Sequence, residues 1–130
     1  MLKALTRFIA SSCSLSIGDD IYAGWRPQEA VADSSLVQDG GAMATNHSTA
    51  RAQARFTVET RGQSYHQTHA RATAIFDALH MQRGVSLPAT TGETVWYADF
   101  IEGMRPGYLG VDDQRLHLFK ASYIVRGYHT

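Results

Sequence analysis

The sequence predicts an α+β fold, in which a mostly antiparallel sheet of four to five strands carries two helices packed on one face. Three observations predict this fold. Residues 51–61 alternate between small or apolar and polar side chains, as in a strand with one buried face. Residues 65–79 repeat apolar side chains at helical spacing. Two more alternating stretches, at 95–101 and 116–126, follow after connections that suit antiparallel neighbours.

The first predicted element is a helix at residues 2–15, which Gly18 ends. Its buried stripe is predicted to consist of Leu2, Leu5, Phe8, Ile9 and Ser12. Cys13 lies near the end of this helix and is expected to be a small core residue. Because it is the one cysteine, no disulfide can form within the chain, and we expect a reducing compartment.

Two short strands are predicted next, at residues 21–25 and 35–38. Because Pro27 has no backbone N–H to donate, the first strand ends there or lies at an edge of the sheet. The sequence Asp39-Gly-Gly41 predicts a turn. Residues 42–50 are small and polar without apolar periodicity, so we expect a long hairpin loop that is mobile in the isolated subunit.

A long strand and the second helix form the predicted centre of the fold. One face of the strand carries Ala52, Ala54, Phe56, Val58 and Thr60. Ser64 is predicted to cap the helix, with Gln67 completing a capping box, and Gly84 is predicted as the left-handed residue that ends it. The apolar stripe of the helix is predicted to be Tyr65, His69, Ala72, Phe76 and Leu79, with Ile75 beside it.

Two further strands are predicted in the C-terminal part, separated by an irregular stretch at 103–115. In the strand at 95–101, the side chains expected to face the core are Trp96, Ala98 and Phe100. In the strand at 116–126, one face carries Phe119, Ala121, Tyr123 and Val125. The centre of the core is therefore predicted to contain Phe56, Val58, Phe76, Leu79, Tyr123 and Val125.

At 130 residues, the chain is predicted to form a single domain over residues 1–130. Its formal net charge is zero, so the composition gives no general attraction to nucleic acid or to an anionic membrane. No apolar run approaches the roughly 20 residues of a membrane span, and the N-terminus lacks the apolar segment of a secretion signal. Ten of the 12 basic residues are arginine, which suits bidentate contacts at protein interfaces.

Few residues suggest catalytic chemistry. His66 and His69 lie three residues apart on the second helix, and His80 follows, a spacing that could place the first two near one metal ion. No cysteine or carboxylate stands beside them at a metal-site spacing, so packing explains them better. The sequence has no GxSxG motif, and its glycine-rich stretches lack the lysine of a phosphate loop. We therefore predict no catalytic residue, no cofactor and no metal site, and the residues alone indicate an interaction domain.

Two other features have both a structural and a functional interpretation. Trp25 and Trp96 are predicted to lie in the core or on the sheet face rather than to stack on bases, because no basic patch surrounds them. Asp112 and Asp113 are predicted to form a solvated turn before the last strand. The alternative for this acidic pair is a charged contact with a neighbouring subunit.

The order of several stretches resembles one protein family. A short helix precedes Ile21-Tyr-Ala-Gly-Trp-Arg-Pro27, and the next strand ends in Leu36-Val-Gln-Asp-Gly-Gly41. The strand Phe56-Thr-Val-Glu-Thr-Arg61 leads into the helix, and Pro106-Gly-Tyr-Leu-Gly-Val-Asp-Asp-Gln-Arg115 precedes the closing strand. In this layout the whole chain resembles the tail-terminator proteins of long-tailed bacteriophages, also described as minor capsid or tail-completion proteins.

The resemblance implies a structural virion protein of a phage or prophage, without enzymatic activity. Such proteins form a ring, typically a hexamer, that caps the tail tube, stops polymerisation of the tube protein and then docks to the head connector. The implied partners are therefore copies of the same chain, the tail-tube protein and a head-connector protein, with no specific nucleic-acid sequence and no membrane. The implied location is the tail–head junction of a virion assembled in the bacterial cytoplasm.

The ring contacts are predicted on two charged segments, the outer face of the central strand and the stretch from Arg105 to Arg115. The candidate interface residues are Arg55, Glu59, Arg61, Arg105, Asp112, Asp113 and Arg115. Two alternatives stay open. The first is another neck or tail-tube component of similar fold, and the second is a small metal-binding enzyme that uses the helix histidines.

Overall fold

The computed structural model describes residues 1–27, 30, 32–40 and 51–129, and of residues 51 and 52 it describes the backbone alone. This part of the chain forms two helices and seven strands. In chain order they are α1 (Leu2–Cys13), β1 (Ile21–Ala23), β2 (Ser34–Asp39), β3 (Arg51–Gly62), α2 (Tyr65–Leu79), β4 (Arg83–Ser86), β5 (Trp96–Gly103), β6 (Gly107–Val111) and β7 (His117–His129).

All seven strands belong to one sheet with the order β1-β2-β3-β7-β5-β4, and β6 pairs with β7. The prediction of a mostly antiparallel sheet is confirmed, since only β1 and β2 run parallel among the paired strands of the described chain. The predicted number of four to five strands is wrong, because β4 and β6 are additional. Both are short and mostly exposed, so neither carries the alternation of buried and exposed residues that identifies a strand in a sequence.

Strands β3 and β7 form the centre of the sheet. They pair along their length, from Arg51 opposite Tyr128 to Gly62 opposite His117. The other side of β7 pairs with β6 over its first part and with β5 over its second part. Between those two strands, the amide of Met104 donates to the carbonyl oxygen of Ser122 at 2.9 Å. Strands β5 and β6 therefore follow β7 as one interrupted strand.

The core lies between the sheet and the two helices. All six residues predicted for its centre are buried in one cluster, as the sequence predicts: Phe56, Val58, Phe76, Leu79, Tyr123 and Val125. Leu5 and Ile9 of α1 belong to the same cluster. Helix α1 contacts α2, β1 and β2, while α2 contacts β3, β5 and β7. Together the helices cover the buried face of the sheet.

The buried stripes of both helices differ in part from the prediction. In α1, Leu5 and Ile9 are buried as predicted, whereas Ser12 is exposed. In α2, Tyr65 and His69 are exposed rather than in the core. Thr68 is buried instead, because its hydroxyl donates to the carbonyl oxygen of the preceding turn at 2.6 Å and so needs no water.

The predicted N-cap of α2 is confirmed, because Ser64 Oγ accepts a hydrogen bond from the amide of Gln67 at 3.4 Å. The helix ends at Leu79, and Met81, with a φ of 67°, is the left-handed residue that follows. The predicted cap at Gly84 is wrong, because that residue lies inside β4.

Helix α1 is also shorter than predicted, ending at Cys13 with Ser14 in the left-handed conformation at a φ of 55°.

A bulge in β5 changes which of its residues face the core. The register against β7 shifts between Ala98 and Phe100. Ala98 is buried as predicted, but Ile101 is also buried, whereas Phe100 is half-buried beneath the guanidinium of Arg83. The prediction that Trp96, Ala98 and Phe100 share the core face is therefore wrong for Phe100, which lies beyond the bulge.

The loop predicted at residues 42–50 lies outside the described residues, so its mobility stays a prediction. In the described chain, neither helix is long and apolar enough to span a bilayer.

Candidate functional site

The seven residues predicted to make subunit contacts lie on two parts of the sheet. Arg55, Glu59 and Arg61 alternate with buried residues of β3 and therefore lie on its outer face, away from the helices. The other four flank β6, with Arg105 before it and Asp112, Asp113 and Arg115 in the turn that follows. The two groups differ in how far their side chains are bonded within the chain.

Glu59 and Arg61 are bonded to the segment between β1 and β2. Arg26 Nη1 lies 3.2 Å from Glu59 Oε1, and the Arg26 side chain is nearly buried. Arg61 donates to Ser34 Oγ and to the carbonyl oxygen of Ala30, both at 3.3 Å. These bonds tie the segment to β3, so both side chains have a role in the fold.

Arg26 is the buried centre of this cluster. Burial lowers the pKa of its guanidinium, the charge of Arg61 lowers it further, and Glu59 acts in the opposite direction. Arg26 Nη2 also donates to the carbonyl oxygens of Ser34 and Glu59 at 3.3 Å. Glu59 therefore offsets part of the cost of burying the Arg26 guanidinium.

Of the three candidate residues on β3, Arg55 is the one that approaches the group around β6. It is exposed on the outer face of the sheet, opposite Ile124 of β7. There it lines a hollow of about 280 Å³ together with Glu102, Met104, Ser122 and Ile124. The structure thus brings Arg55 next to the break between β5 and β6, whereas Glu59 and Arg61 contact the side of β2.

The turn after β6 is confirmed as the predicted turn before the last strand. Asp112 Oδ1 accepts hydrogen bonds from the amides of Gln114 and Leu116 at 2.8 and 2.9 Å. Arg115 has a φ of 61°, and its amide donates to the carbonyl oxygen of Asp112 at 3.0 Å. The side chains of Asp113 and Arg115 are exposed. Asp112 therefore shapes the turn, and its two neighbours are exposed at the surface.

Arg105 is partly held by a contact within the chain. The carbon of its guanidinium lies 5.3 Å from the centre of the Phe76 ring, a cation–π distance. The residue is nevertheless exposed at the surface. The contact with Phe76 therefore holds the guanidinium beside β6, and its charge stays accessible to a partner.

A groove between α1 and the edge strand β1 was not predicted from the sequence. This α1–β1 groove has a volume of about 530 Å³ and is lined by Thr6, Ile17, Tyr22, Ala23, Trp25 and Pro27 among others. Trp25 is 71% exposed and Ile17 is 53% exposed. The prediction that Trp25 lies in the core or on the sheet face is wrong, because β1 ends at Ala23 and leaves the indole beyond the strand. Trp96, in contrast, is half-buried on β5 against His129.

A second exposed apolar surface, also missed from the sequence, surrounds β6. This β6 edge consists of Met104, Tyr108, Leu109 and Val111, and the first, third and fourth are 69%, 59% and 54% exposed. Strand β6 pairs with β7 on one side, and no other strand of the described chain pairs with it. The alternation in Gly107-Tyr-Leu-Gly-Val111 is too short to reveal such a strand from sequence.

The histidines predicted as an alternative metal site lie among aromatic rings. Tyr65 contacts the rings of His66, His69 and His117, and Tyr108 Oη lies 2.9 Å from His117 Nδ1. His80 lies elsewhere, where its Nδ1 accepts from the amide of Gly103 at 3.0 Å. Over the residues whose placement is described, no group of three or more histidine, cysteine or acidic side chains could hold a metal ion. Tyr65, Tyr108 and three of these histidines form one cluster of ring contacts.

Cys13 is half-buried at the end of α1, where its thiol lies 3.8 Å from the carbonyl oxygen of Ala74. Burial raises the pKa of the thiol, which favours the uncharged form. This environment agrees with the prediction of a small packing residue at the margin of the core.

Comparison with known proteins gives one family and one structural neighbour of interest. The family model described as bacteriophage tail terminator protein matches residues 10–128. A chain from the virion of a native gene transfer agent particle superposes with a TM-score of 0.63 at 16% sequence identity. The match covers 98% of this chain and 94% of that chain, so the two share a fold. A search of curated protein sequences gave no significant match.

Proposed function

The chain belongs to the bacteriophage tail terminator family, and we propose that it caps the phage tail tube as a ring, ends polymerisation of the tube protein and offers its other face to the head connector. The family assignment makes it a structural protein of a phage tail. The proposal adds the ring, its partners and its position at the tail–head junction.

The observation that carries the proposal is the extent of the family match. It begins within α1 and ends within β7, so it includes the whole sheet and α2. A match confined to one motif would indicate a shared element, whereas this one indicates that the complete architecture is that of the family. The match over nearly the whole domain supports the proposal that this chain has the function of the family.

The surface of the molecule supports a role in assembly without bond chemistry. Two ion pairs join segments within the chain, the nearly buried Arg26 with Glu59 and the more exposed Arg71 with Asp33. The exposed apolar surfaces instead lie along the α1–β1 groove and the β6 edge. Exposed apolar patches of this kind are typical of protein interfaces. We therefore propose a steric and interfacial mechanism and no enzymatic activity.

The charged residues remain candidates for subunit or partner contacts, and we propose two different roles for them. Arg55, Arg105, Asp113 and Arg115 are exposed and are proposed to meet a partner directly. Glu59, Arg61 and Asp112 are bonded within the chain and are proposed to position those contacts. A closed ring needs two different surfaces on each subunit, since its contacts are head-to-tail.

The proposed function predicts the phenotype of a phage that lacks this gene. Without a terminator, the tube protein continues to polymerise, so we expect tails of variable and excessive length that do not join heads. The measurement is the distribution of tail lengths by electron microscopy, with the gene restored from a plasmid as the control. Tails of normal length that fail to join heads would instead indicate another neck component, and normal virions would contradict both functions.

A further inference from the structure

We propose that the outer face of the sheet, on the side away from the helices, binds the phosphate backbone of duplex DNA without sequence preference. The inference goes beyond the proposed function, because a cap on the tail tube needs no contact with nucleic acid. It rests on how the charges of a neutral chain are divided between the two sides of the sheet, which the composition alone does not reveal.

The outer face carries exposed cations on three neighbouring strands and on the edge strand β4. Side chains of β7 alternate between the core and this face, and Lys120 and Arg126 are exposed on it. Arg55 is exposed on the same face of β3. On β5 the ring of Phe100 lies opposite Arg126, and the guanidinium of Arg83 from β4 covers that ring. Four exposed cations therefore share this face.

Acidic side chains offset only part of this charge. Among the described residues of the face they are Glu59, Glu102 and, in the bulge of β5, Asp99. Glu59 lies in the cluster with Arg26 and Arg61, so that cluster adds positive charge as well. The face thus holds six cationic and three acidic side chains. Since the whole chain has 12 of each sign, the rest of the sequence has six cationic and nine acidic residues.

The other side chains of the face suit phosphate better than an apolar protein partner. Thr57 and Ser122 lie opposite one another between the cations, and Gln53 follows farther along β3. Hydroxyl and amide groups hydrogen-bond DNA phosphates together with arginine and lysine. The centre of a protein interface is instead apolar, whereas here Ile124 is half-buried and the exposed Met104 lies at the margin between β5 and β6. A polyanion is therefore the partner that this face fits.

The aromatic rings of the face favour a duplex over a single strand. Single-stranded nucleic acid binds through bases that stack on free aromatic rings. Here the rings of Tyr97 and Tyr128 stack on each other with 5.2 Å between their centres, and the Arg83 guanidinium lies 5.1 Å from the centre of the Phe100 ring. The more exposed ring of Trp25 lies beyond β1 instead. The face therefore offers its cations to phosphates rather than its rings to bases.

The spacing of the cations matches an extended DNA backbone. Lys120 and Arg126 lie six residues apart on β7, which corresponds to about 20 Å along the strand. Arg55 lies between them in register, opposite Ile124. One strand of B-DNA has a phosphate about every 3.4 Å along the helix axis, so the row extends over roughly six phosphates. The three cations can therefore contact the same DNA strand together.

Salt-dependent binding of DNA by the purified chain tests this inference. The probe is a fluorescein-labelled duplex of about 30 base pairs, followed by anisotropy between about 50 and 200 mM NaCl. We expect Arg55→Gln, Lys120→Gln and Arg126→Gln, combined in one variant, to weaken binding at the lower salt concentration by about tenfold or more. The slope of log K against log salt should become shallower by about two to three, because each lost phosphate contact removes roughly 0.9.

A second triple variant is the matched control. Lys3→Gln, Arg105→Gln and Arg115→Gln remove the same charge from exposed residues that lie on α1, against Phe76 and in the turn after β6. We expect this variant to bind DNA within about threefold of the unchanged chain, since it loses no phosphate contact. Circular dichroism checks the fold, and both variants are compared at a concentration where light scattering gives them equal mass.

The outcomes separate DNA from other partners. Equal weakening in the two triple variants would show that net charge rather than this face attracts DNA, and would overturn the inference. Tighter binding of a single-stranded oligonucleotide of the same length would overturn it too. So would displacement of the duplex by polyglutamate as effectively, per charge, as by unlabelled duplex, which is the result expected for an acidic protein partner. No binding at about 50 mM salt would also overturn it.

The proposed function is judged by a different measurement. Tail lengths in the phage lacking the gene test termination and do not depend on DNA binding by the purified chain. A phage that carries the Arg55, Lys120 and Arg126 substitutions should therefore make tails of normal length, provided that the variant folds and assembles. Normal tail control together with unchanged DNA affinity in this variant would overturn the inference and leave the proposed function standing.

Discussion

At the scale of single residues, Phe76 packs α2 against the sheet. Its ring is buried in the core beside Tyr123 and is stacked on the imidazole of His80 at 4.7 Å between ring centres. Phe76→Ala would leave a cavity between α2 and the sheet, so we expect a loss of about 3–5 kcal/mol in the free energy of unfolding. Denaturant unfolding measures this, with the exposed Met81→Ala as control. A loss below about 1 kcal/mol would contradict the packing described here.

Charge reversal separates arginines that serve the fold from those available to a partner. Arg61→Glu would remove hydrogen bonds to Ser34 and Ala30 and place a carboxylate near Glu59, so we expect a loss of about 1–3 kcal/mol in unfolding free energy. Arg55→Glu, on the exposed part of the same face, should change stability by less than about 0.5 kcal/mol. Equal stabilities for the two variants would contradict the cluster around Arg26.

At the scale of elements, the pairing of β5 with β7 depends on a glycine. A Cβ at Gly127 would collide with the carbonyl oxygen of Tyr97 on β5, whereas the nearest atom to a Cβ at Gly107 on β6 is 4.0 Å away. Gly127→Ala should therefore accelerate hydrogen exchange along β5 and lower the melting temperature. Gly107→Ala is the matched control and should change neither. Identical exchange of β5 amides in both variants would contradict the close approach of the two strands.

Helix α1 is joined to the connection before β5 by an ion pair whose contribution to stability depends on pH. Arg7 donates to both carboxylate oxygens of Glu93, at 2.6 and 2.9 Å, and these bonds together with those from Thr90 lower the pKa of Glu93 to about 2. Because the usual value is 4.5, the stabilisation is complete above pH 4.5 and is lost as the pH falls toward 2.

An NMR titration of the Glu93 carboxyl group tests this ion pair. We expect a midpoint of about 2 in the native protein and a shift toward 4.5 in Arg7→Ala. Arg126→Ala, which removes an arginine near Glu102 instead, should leave the Glu93 midpoint in place. A midpoint that does not move in Arg7→Ala would mean that the bidentate contact does not persist in solution.

The sequence predicts those elements whose burial repeats over many residues. Strands β3 and β7 bury every second side chain, and α2 buries Ala72, Phe76 and Leu79 at helical spacing, so their periodicities are visible without a structure. Strands β4 and β6 are short and largely exposed, and pairing with a neighbour rather than a hydrophobic pattern makes them strands. The bulge at Ala98 and Phe100 similarly depends on the partner strand and leaves no local signal.

At the scale of the whole molecule, the fold exposes apolar residues at two opposite edges of one sheet. The sequence did indicate an assembly protein, through its arginine content and the order of its motifs. It did not indicate the groove, because an apolar residue such as Trp25 has the same sequence signature whether it lies in a core or at a surface. Only the end of β1 at Ala23 decides which of the two applies.

Under the proposed function, a small neutral chain acts through the surfaces of an assembled ring. In the proposed ring each subunit joins its neighbours through head-to-tail contacts, which leaves other surfaces for the tube and the connector. Growth of the tube would then stop because the exposed surface of the ring differs from that of the tube protein. We therefore expect variants that fold normally but do not assemble to be inactive.

The most direct test of this account is the growth of tail tubes in the presence of the purified protein. Tube protein is allowed to polymerise while increasing amounts of this chain are added, and tube lengths are measured by electron microscopy. Since one ring per growing end suffices, substoichiometric amounts should stop elongation. Tubes that continue to elongate in the presence of excess protein would contradict the proposed termination of the tail.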